Sequence, residues 1–264
     1  MKAEQIFNVT GNSAIVTGAA SGLGLAMAEV MAENGARVTM IDKDGDTLAR
    51  QVARLRQGGC AVTPAIVDVA DLDKLRDAID AVAAREGRID ACFCNAGMSG
   101  GPGFLTPIGH MNAVEIDKWD EVLHVNLTSV FVTLRSAAAH MKKQKSGRLI
   151  VTSSIAGIIG ERNVSYVYTA AKAALNNLVR LAALELAPYN VTVNAIAPGP
   201  FLTNIAGGRL HNDPQARRAF ETMVPLGRIA QTSELKGLAL LLASPASSFI
   251  TGTVIPIDGG TTAG

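Results

Sequence analysis

The chain is poor in cysteine, nearly neutral in net charge, and without a long unbroken hydrophobic run. Its three cysteines, Cys60, Cys92 and Cys94, are an odd and sparse set with no CxxC spacing. That excludes a disulfide scaffold and reads as reduced core residues of a cytoplasmic protein. Lys and Arg total 24 against 23 Asp and Glu, a net charge of +1. No nucleic-acid face and no acidic tail is expected from that balance. No apolar run approaches the roughly 18 residues of a membrane span; the longest candidate, Leu238 to Ala243, reads as a buried helix segment. The first residues, Met1 to Gln5, lack the apolar stretch of a secretory signal. His110, His124, His140 and His211 show no metal-ligand spacing, so no metal is expected. There is no repeat, low-complexity segment or long linker.

What is present is apolar residue, 48%, against 18% charged, enough for a sizeable core. Strand-like and helix-like stretches alternate from end to end. Strands are expected at Ser13–Thr17, Arg37–Asp42, Ala61–Val67, Ile89–Cys94, Arg148–Thr152, Val191–Ile196 and Thr253–Ile257. Helices are expected at about 22–35, from Asp44 or Asp46 to Gln57, from Asp71 to Glu86, and at about 116–143, 165–187 and 233–242. This alternation implies βαβ units: one α/β domain over 1–264, a doubly wound parallel sheet with helices on both faces. The strands are apolar throughout, as a sheet covered on both sides requires.

Directly after the first strand comes Thr17-Gly18-Ala-Ala-Ser21-Gly22-Leu23-Gly24, which opens the first helix. Glycines there let backbone amides approach a pyrophosphate at a helix N-terminus, where the macrodipole favours negative charge. Asp42 ends the second strand, eighteen residues after Gly24. An acid near that place hydrogen-bonds the adenosine ribose and disfavours a 2′-phosphate, which points to NAD; the adjacent Lys43 weakens the exclusion slightly.

Tyr168 and Lys172 are four residues apart, and so share a helix face. An ordinary tyrosine, with a pKa of about 10, is a poor base at neutral pH, and a nearby cation favours its phenolate. Ser154 lies fourteen residues before the tyrosine and could bind the same substrate oxygen. Tyr166 and Tyr189 have Ala170 and Val193 at the corresponding fourth place, which cannot assist a phenolate.

Taken together these residues resemble the short-chain dehydrogenase/reductase family over essentially the whole chain. The resemblance is carried by Thr17-Gly18-xxx-Gly22-x-Gly24, Asp68-Val69, Asn95-Ala96-Gly97, Asn126, Ser154, Tyr168-xxx-Lys172, Pro198-Gly199-xxx-Thr203 and Asp258-Gly259-Gly260. It implies a doubly wound sheet of about seven strands. It also implies cofactor contacts at Gly18, Ser21, Gly22, Leu23, Gly24 and Asp42, with Asp68 and Val69 beside the adenine. Asn95, Ala96 and Gly97 would line the ribose and steady the central strand. Pro198, Gly199 and Thr203 would flank the nicotinamide, and Asn126 would hold a water joining Lys172 to solvent. Cys94 stands where the family usually has Asn, a position that mainly packs. The gap from Ser154 to Tyr168 is one residue longer than usual, so either Ser154 serves with an extra loop residue or Ser153 does. Strand alternation lets only one serve, and Ser153-Ser154-Ile-Ala-Gly157 favours Ser154.

The reaction implied is oxidation of a small or medium secondary alcohol, or reduction of its ketone. Hydride chemistry belongs to the nicotinamide. Tyr168 would act as base or acid, its pKa lowered by Lys172 and the cationic ring, Lys172 would also bind the nicotinamide ribose, and Ser154 would orient the substrate oxygen. Met98 to Ala113 and a lid at about 200–228 would wall the pocket, with Gly207-Gly208 as a hinge. Arg209, His211, Arg217, Arg218 and Arg228 read first as a solvated lid face and second as an attractor of anions. The family also implies a homotetramer or homodimer through the helices near 116–143 and 165–187, where Ala170, Ala171, Ala174, Leu178 and Leu181 fit an interface or core.

Three rival readings remain: an NADP(H)-dependent ketone or 3-oxoacyl reductase of the same family, a non-catalytic nucleotide-binding regulator, and a hydrolase. For the last, Gly97-Met-Ser99-Gly-Gly101 matches G-x-S-x-G, but Pro102, Gly103 and Pro107 deny it the helix that must follow.

Overall fold

A computed structural model describes residues 2–205, 208 and 212–263. After a short helix α1 (Ala3–Ile6), the elements run β1 (Ser13–Thr17), α2 (Gly22–Glu33), β2 (Arg37–Asp42), α3 (Gly45–Gln57), β3 (Val62–Ile66), α4 (Leu72–Glu86) and β4 (Ala91–Cys94). Then come α5 (Ile116–Leu123), joined by one π-helical turn (His124–Thr128) to α6 (Ser129–Gln144), followed by β5 (Gly147–Thr152), α7 (Tyr166–Leu186) and β6 (Val191–Pro198). The described chain closes with α8 (Pro214–Met223), α9 (Lys236–Ala243) and β7 (Val254–Ile257).

The helix starts follow from local chemistry. Asp44 and Asp71 accept hydrogen bonds from the amides of Thr47 and Lys74 and cap α3 and α4. Ser165 caps α7 through the amide of Tyr168, which puts that tyrosine in the helix's first turn.

All seven strands form one parallel sheet in the order β3-β2-β1-β4-β5-β6-β7. Both edge strands carry a proline, Pro64 in β3 and Pro256 in β7. Proline suits an edge, where one side of the ladder needs no donor. One face buries Met27 and Met31 of α2, Leu48 and Val52 of α3 and Leu242 of α9. The other buries Leu75 and Ile79 of α4, Leu134 and Met141 of α6 and Leu175 and Val179 of α7. Each such side chain contributes about 1.5–3 kcal/mol by leaving water. Cys92 and Cys94 lie in this second core, and burial together with the Cys92 contact pushes the Cys94 thiol well up. The three cysteines are free thiols.

The stretch Ile116–Gln144 is long and apolar enough, by length and composition, to cross a membrane, an exception to the reading that nothing approaches that length. Over half of it is buried in the protein, where it packs on α4, β4 and β5.

The chain direction reverses between β1, whose successors lie toward β3, and β4, whose successors lie toward β7. The crevice beyond the C-terminal ends of β1 and β4 is where such a sheet takes a ligand.

Candidate active site

The glycine turn leaves β1 at that crevice. Gly18 and Gly22 have φ of +68° and +57°, a region that penalises a side chain. A Cβ on Gly24 would begin 2.0 Å from the Gly18 carbonyl oxygen and 2.5 Å from Asn95 Nδ2. Ser21 makes no side-chain cap at the head of α2, which leaves first-turn amides for an outside acceptor. Thr203 stands over the turn, its side chain 3.6 Å from where a Gly22 side chain would start. This cradle fits a pyrophosphate.

Asp42 faces the same turn. Its Oδ2 accepts the Ala20 amide at 2.9 Å and its Oδ1 accepts the Asp44 amide at 3.0 Å. Lys43 is not directed to that carboxylate; its Nζ lies 3.5 Å from Asp68 Oδ2. Asp68 is exposed and Val69 buried at the end of the next strand.

Asn95 ties three strands together. Its amide Nδ2 donates to the carbonyls of Thr17 and Gly18 at 3.1 and 3.4 Å, and its Oδ1 accepts from Thr152 Oγ1 at 3.0 Å. Thr17 Oγ1 accepts the amides of Asn95 and Ala96 at 3.0 and 3.1 Å. The sequence reading found the steadying role of Asn95 but missed the Thr17 and Thr152 hydroxyls that complete it. Gly97 is exposed, and no helix follows it, which closes the hydrolase reading.

Tyr168 and Lys172 of α7 meet Ser154, which follows β5. The Ser154 hydroxyl stands by the Tyr168 phenol and favours its ionised form, and its Oγ accepts the Ala156 amide at 3.1 Å. Ser153 points elsewhere: its hydroxyl donates to Asn176 Oδ1 at 2.6 Å. The extra loop residue therefore costs Ser154 nothing. Lys172 is buried, its Nζ donates to the Thr152 carbonyl at 2.7 Å, and it lies 5.5 Å from the centroid of the Tyr168 ring.

The electrostatics differ from expectation at one point. Burial pushes the Tyr168 phenol up from its ordinary value, and the Ser154 hydroxyl opposes that shift. The Lys172 ammonium lies over the ring face, donates to the Thr152 carbonyl, and is itself pulled down to about 8 by burial. A cation stabilises a phenolate only through proximity to the oxygen.

Asn126 is fully buried in the π-helical turn, a local widening that often marks functional sites. Its Oδ1 accepts the Met98 amide at 2.8 Å and its Nδ2 donates to the Met98 carbonyl at 2.9 Å. The side chain is thus engaged by the turn after β4.

On the substrate side, residues 98–113 form an irregular wall with short 3-10 turns at Pro107–Gly109 and Met111–Ala113. It is anchored to the loop before α7 by a bridge between Pro102 and Val164 and by the Gly103 amide on the Asn163 carbonyl at 3.1 Å. Phe104 lies 6.5 Å from the Tyr166 ring. Pro198 and Gly199 end β6 nearby. Of the lid cations, Arg217 pairs with Glu221 and Arg228 forms a two-pronged pair with Glu234, whose carboxyl it holds at about 2. Arg218 is exposed, while Gly207, Arg209 and His211 lie outside the described residues. A cavity of about 170 Å³ between lid and tail is lined by Phe201, Val224, Leu226 and Ile257. Tyr168 does not line it.

The family profile described as enoyl-(acyl carrier protein) reductase matches residues 18–262. Among curated relatives, a cis-4-hydroxycyclohexanecarboxylate dehydrogenase of Sinomonas cyclohexanicum is 37% identical over 95% of this chain and 96% of its own length. A cyclohexanol dehydrogenase of Rhodococcus sp. (strain TK6) is 35% identical over 96% of each. A solved gluconate 5-dehydrogenase from Burkholderia cenocepacia J2315, in complex with NADP and tartrate, superposes with a TM-score of 0.90 at 33% identity over 100% of both chains. The chain belongs to the short-chain dehydrogenase/reductase family and is an oxidoreductase that works with a nicotinamide cofactor on alcohols and their ketones.

Proposed function

We propose that this protein is an NAD-dependent dehydrogenase of alicyclic secondary alcohols, acting over one domain, in the cytoplasm, as a homotetramer. The observation that carries the reading is the Ser154 hydroxyl on the Tyr168 phenol with the Lys172 ammonium over the same ring. The nicotinamide supplies the hydride chemistry when bound. Tyr168 Oη takes the hydroxyl proton of the alcohol in oxidation and returns it to the ketone oxygen in reduction. Ser154 donates to the substrate oxygen and holds its developing charge. Lys172 binds the nicotinamide ribose and steadies the tyrosine. Asn126 positions the Gly97–Met98 turn against the cofactor.

The glycine turn, Asp42, Asp68, Val69, Asn95, Ala96, Gly97, Pro198, Gly199 and Thr203 form the cofactor wall. NAD is favoured because the Asp42 carboxylate ends β2 beside the glycine turn, where its charge would oppose a 2′-phosphate, and Lys43 is turned to Asp68. An alicyclic substrate is supported by the relatives' named substrates and by apolar side chains on the flanking loops, Phe104, Leu105, Ile108 and Ile158. Residues 200–228 serve as the lid. The three free thiols favour a reducing compartment. Association is supported by the open face of α6 and α7, where Phe131, Leu181 and Leu184 are exposed and Leu178 lines a groove between the helices. Of the small residues read as interface or core, Ala171 is core, while Ala174 and Leu181 lie open on this face.

Steady-state assays with cyclohexanol, cyclopentanol and cis-4-hydroxycyclohexanecarboxylate test this. NAD is expected to exceed NADP by about tenfold in kcat/KM, and a preference for NADP overturns the role of Asp42. Tyr168→Phe is expected to lose about 10²- to 10⁴-fold in kcat; near-native turnover would sink the proton-transfer assignment.

A further inference from the structure

Tyr168 and Lys172 are two members of a longer series. Asn176 follows Lys172 by four residues, so all three lie along one face of α7. Asn176 is 4% exposed and has no part in the reaction described above. Its Oδ1 accepts Ser153 Oγ at 2.6 Å, and its Nδ2 donates to the Gly157 carbonyl at 2.8 Å. The same Ser153 hydroxyl reaches the Lys172 carbonyl at 3.3 Å. One buried amide thus grips both ends of residues 153–157, the segment that carries Ser154.

The grip is tight because the segment lies against the helix backbone. A Cβ on Gly157 would begin 2.6 Å from the Lys172 carbonyl carbon and 2.7 Å from its oxygen. Within the grip, Ser154 Oγ accepts the Ala156 amide at 3.1 Å, which ties the hydroxyl to the clasped segment. An apolar side chain of similar volume would fill the space between segment and helix. It would not fix the segment's orientation, because dispersion contacts are non-directional and hydrogen bonds are not.

We infer that Asn176, with Ser153 as its partner, is a positioning residue that sets the Ser154 hydroxyl against Tyr168 by clasping residues 153–157 onto α7. The inference rests on the roles of Ser154 and Tyr168 proposed above. It assigns Ser153 a function of its own and gives the two adjacent serines after β5 separate tasks: Ser154 serves the substrate oxygen and Ser153 fastens the segment.

The test uses the full-length protein carrying Asn176→Leu or Ser153→Ala. The substrate is whichever alcohol wild type oxidises best among cyclohexanol, cyclopentanol, cis-4-hydroxycyclohexanecarboxylate and gluconate. The expected result is a fall in kcat of about 10- to 100-fold, since small misplacements of reacting groups cost that much. The Kd for NADH, read by fluorescence on the folded fraction, is expected to stay within about twofold. The double variant is expected to be little worse than the worse single one, because both act through one clasp.

Two results overturn the inference: kcat per folded molecule at the wild-type level with only a lower Tm, or NADH affinity falling in step with kcat. If Asn176→Leu does not fold, Ser153→Ala, which removes a single hydroxyl, is judged by the same two quantities. Tyr168→Phe assayed alongside separates the two readings. Retained turnover there defeats the proposed mechanism; lost turnover there with native kcat in Asn176→Leu and Ser153→Ala defeats only the clasp.

Discussion

The two sides of the crevice are built differently. The cofactor side, formed by the ends of β1, β2 and β4, uses backbone amides, glycines without room for a side chain, and Asn95 bonded to β1 and β5. The substrate side, formed by residues 98–113 and the lid, uses irregular chain whose large apolar side chains stand open: Leu105, Ile108 and Met111 are 62%, 73% and 70% exposed. A pyrophosphate is a constant ligand and can be met by fixed backbone geometry. A substrate varies between relatives, and loops tolerate such variation because little packs upon them. Tyr168, Ser154 and Lys172 stand between the two sides, on α7 and the segment after β5.

If this contrast is right, substitutions should grade from one side to the other. Gly24→Ala is expected to have the largest effect on the cofactor. Its methyl would overlap the Gly18 carbonyl, and overpacking of about 1–3 kcal/mol corresponds to roughly 5- to 150-fold weaker NADH binding. Calorimetric titration with NADH reads this, and an unchanged Kd would break the claim that the turn is closed to side chains.

Ser154→Ala comes next and acts between the two sides. The Ser154 hydroxyl lowers the Tyr168 pKa, so its loss raises it further. Oxidation needs the phenolate, which exists only above that pKa. The acid limb of the kcat profile is therefore expected to move to higher pH, with NADH affinity unchanged. A limb that stays in place or moves to lower pH contradicts the contact.

Ile108→Ser should have the smallest effect. Stability is expected to change by less than about 0.5 kcal/mol, as for exposed sites in general. NADH affinity should not change, and any effect should fall on the KM of the alcohol. A change in NADH affinity would show that the two sides are coupled.

The elements most legible beforehand were those with a local cause. β2 matches the expected Arg37–Asp42, and Asp44, Asp71 and Ser165 cap the helices where polar residues precede apolar periodicity. Less legible was whatever depends on distant partners. The π-helical turn at Asn126, the short 3-10 turns in the 98–113 wall and the extension of β6 to Pro198 have no periodic signal of their own. Asn176 carried one available clue, its four-residue step from Lys172, but a spacing names no partner.

Sequence by itself determined the parallel sheet, the glycine turn at its switch point and the shared face of Tyr168 and Lys172, because hydrophobic period, capping and helical pitch are local properties. Only the tertiary structure decided which of Ser153 and Ser154 stands by the phenol, that Lys172 donates to the Thr152 carbonyl, and that Asn126 binds Met98. Those outcomes turn on distances of a few ångströms between segments far apart in the chain, and hydrogen bonding discriminates on that scale where sequence spacing does not.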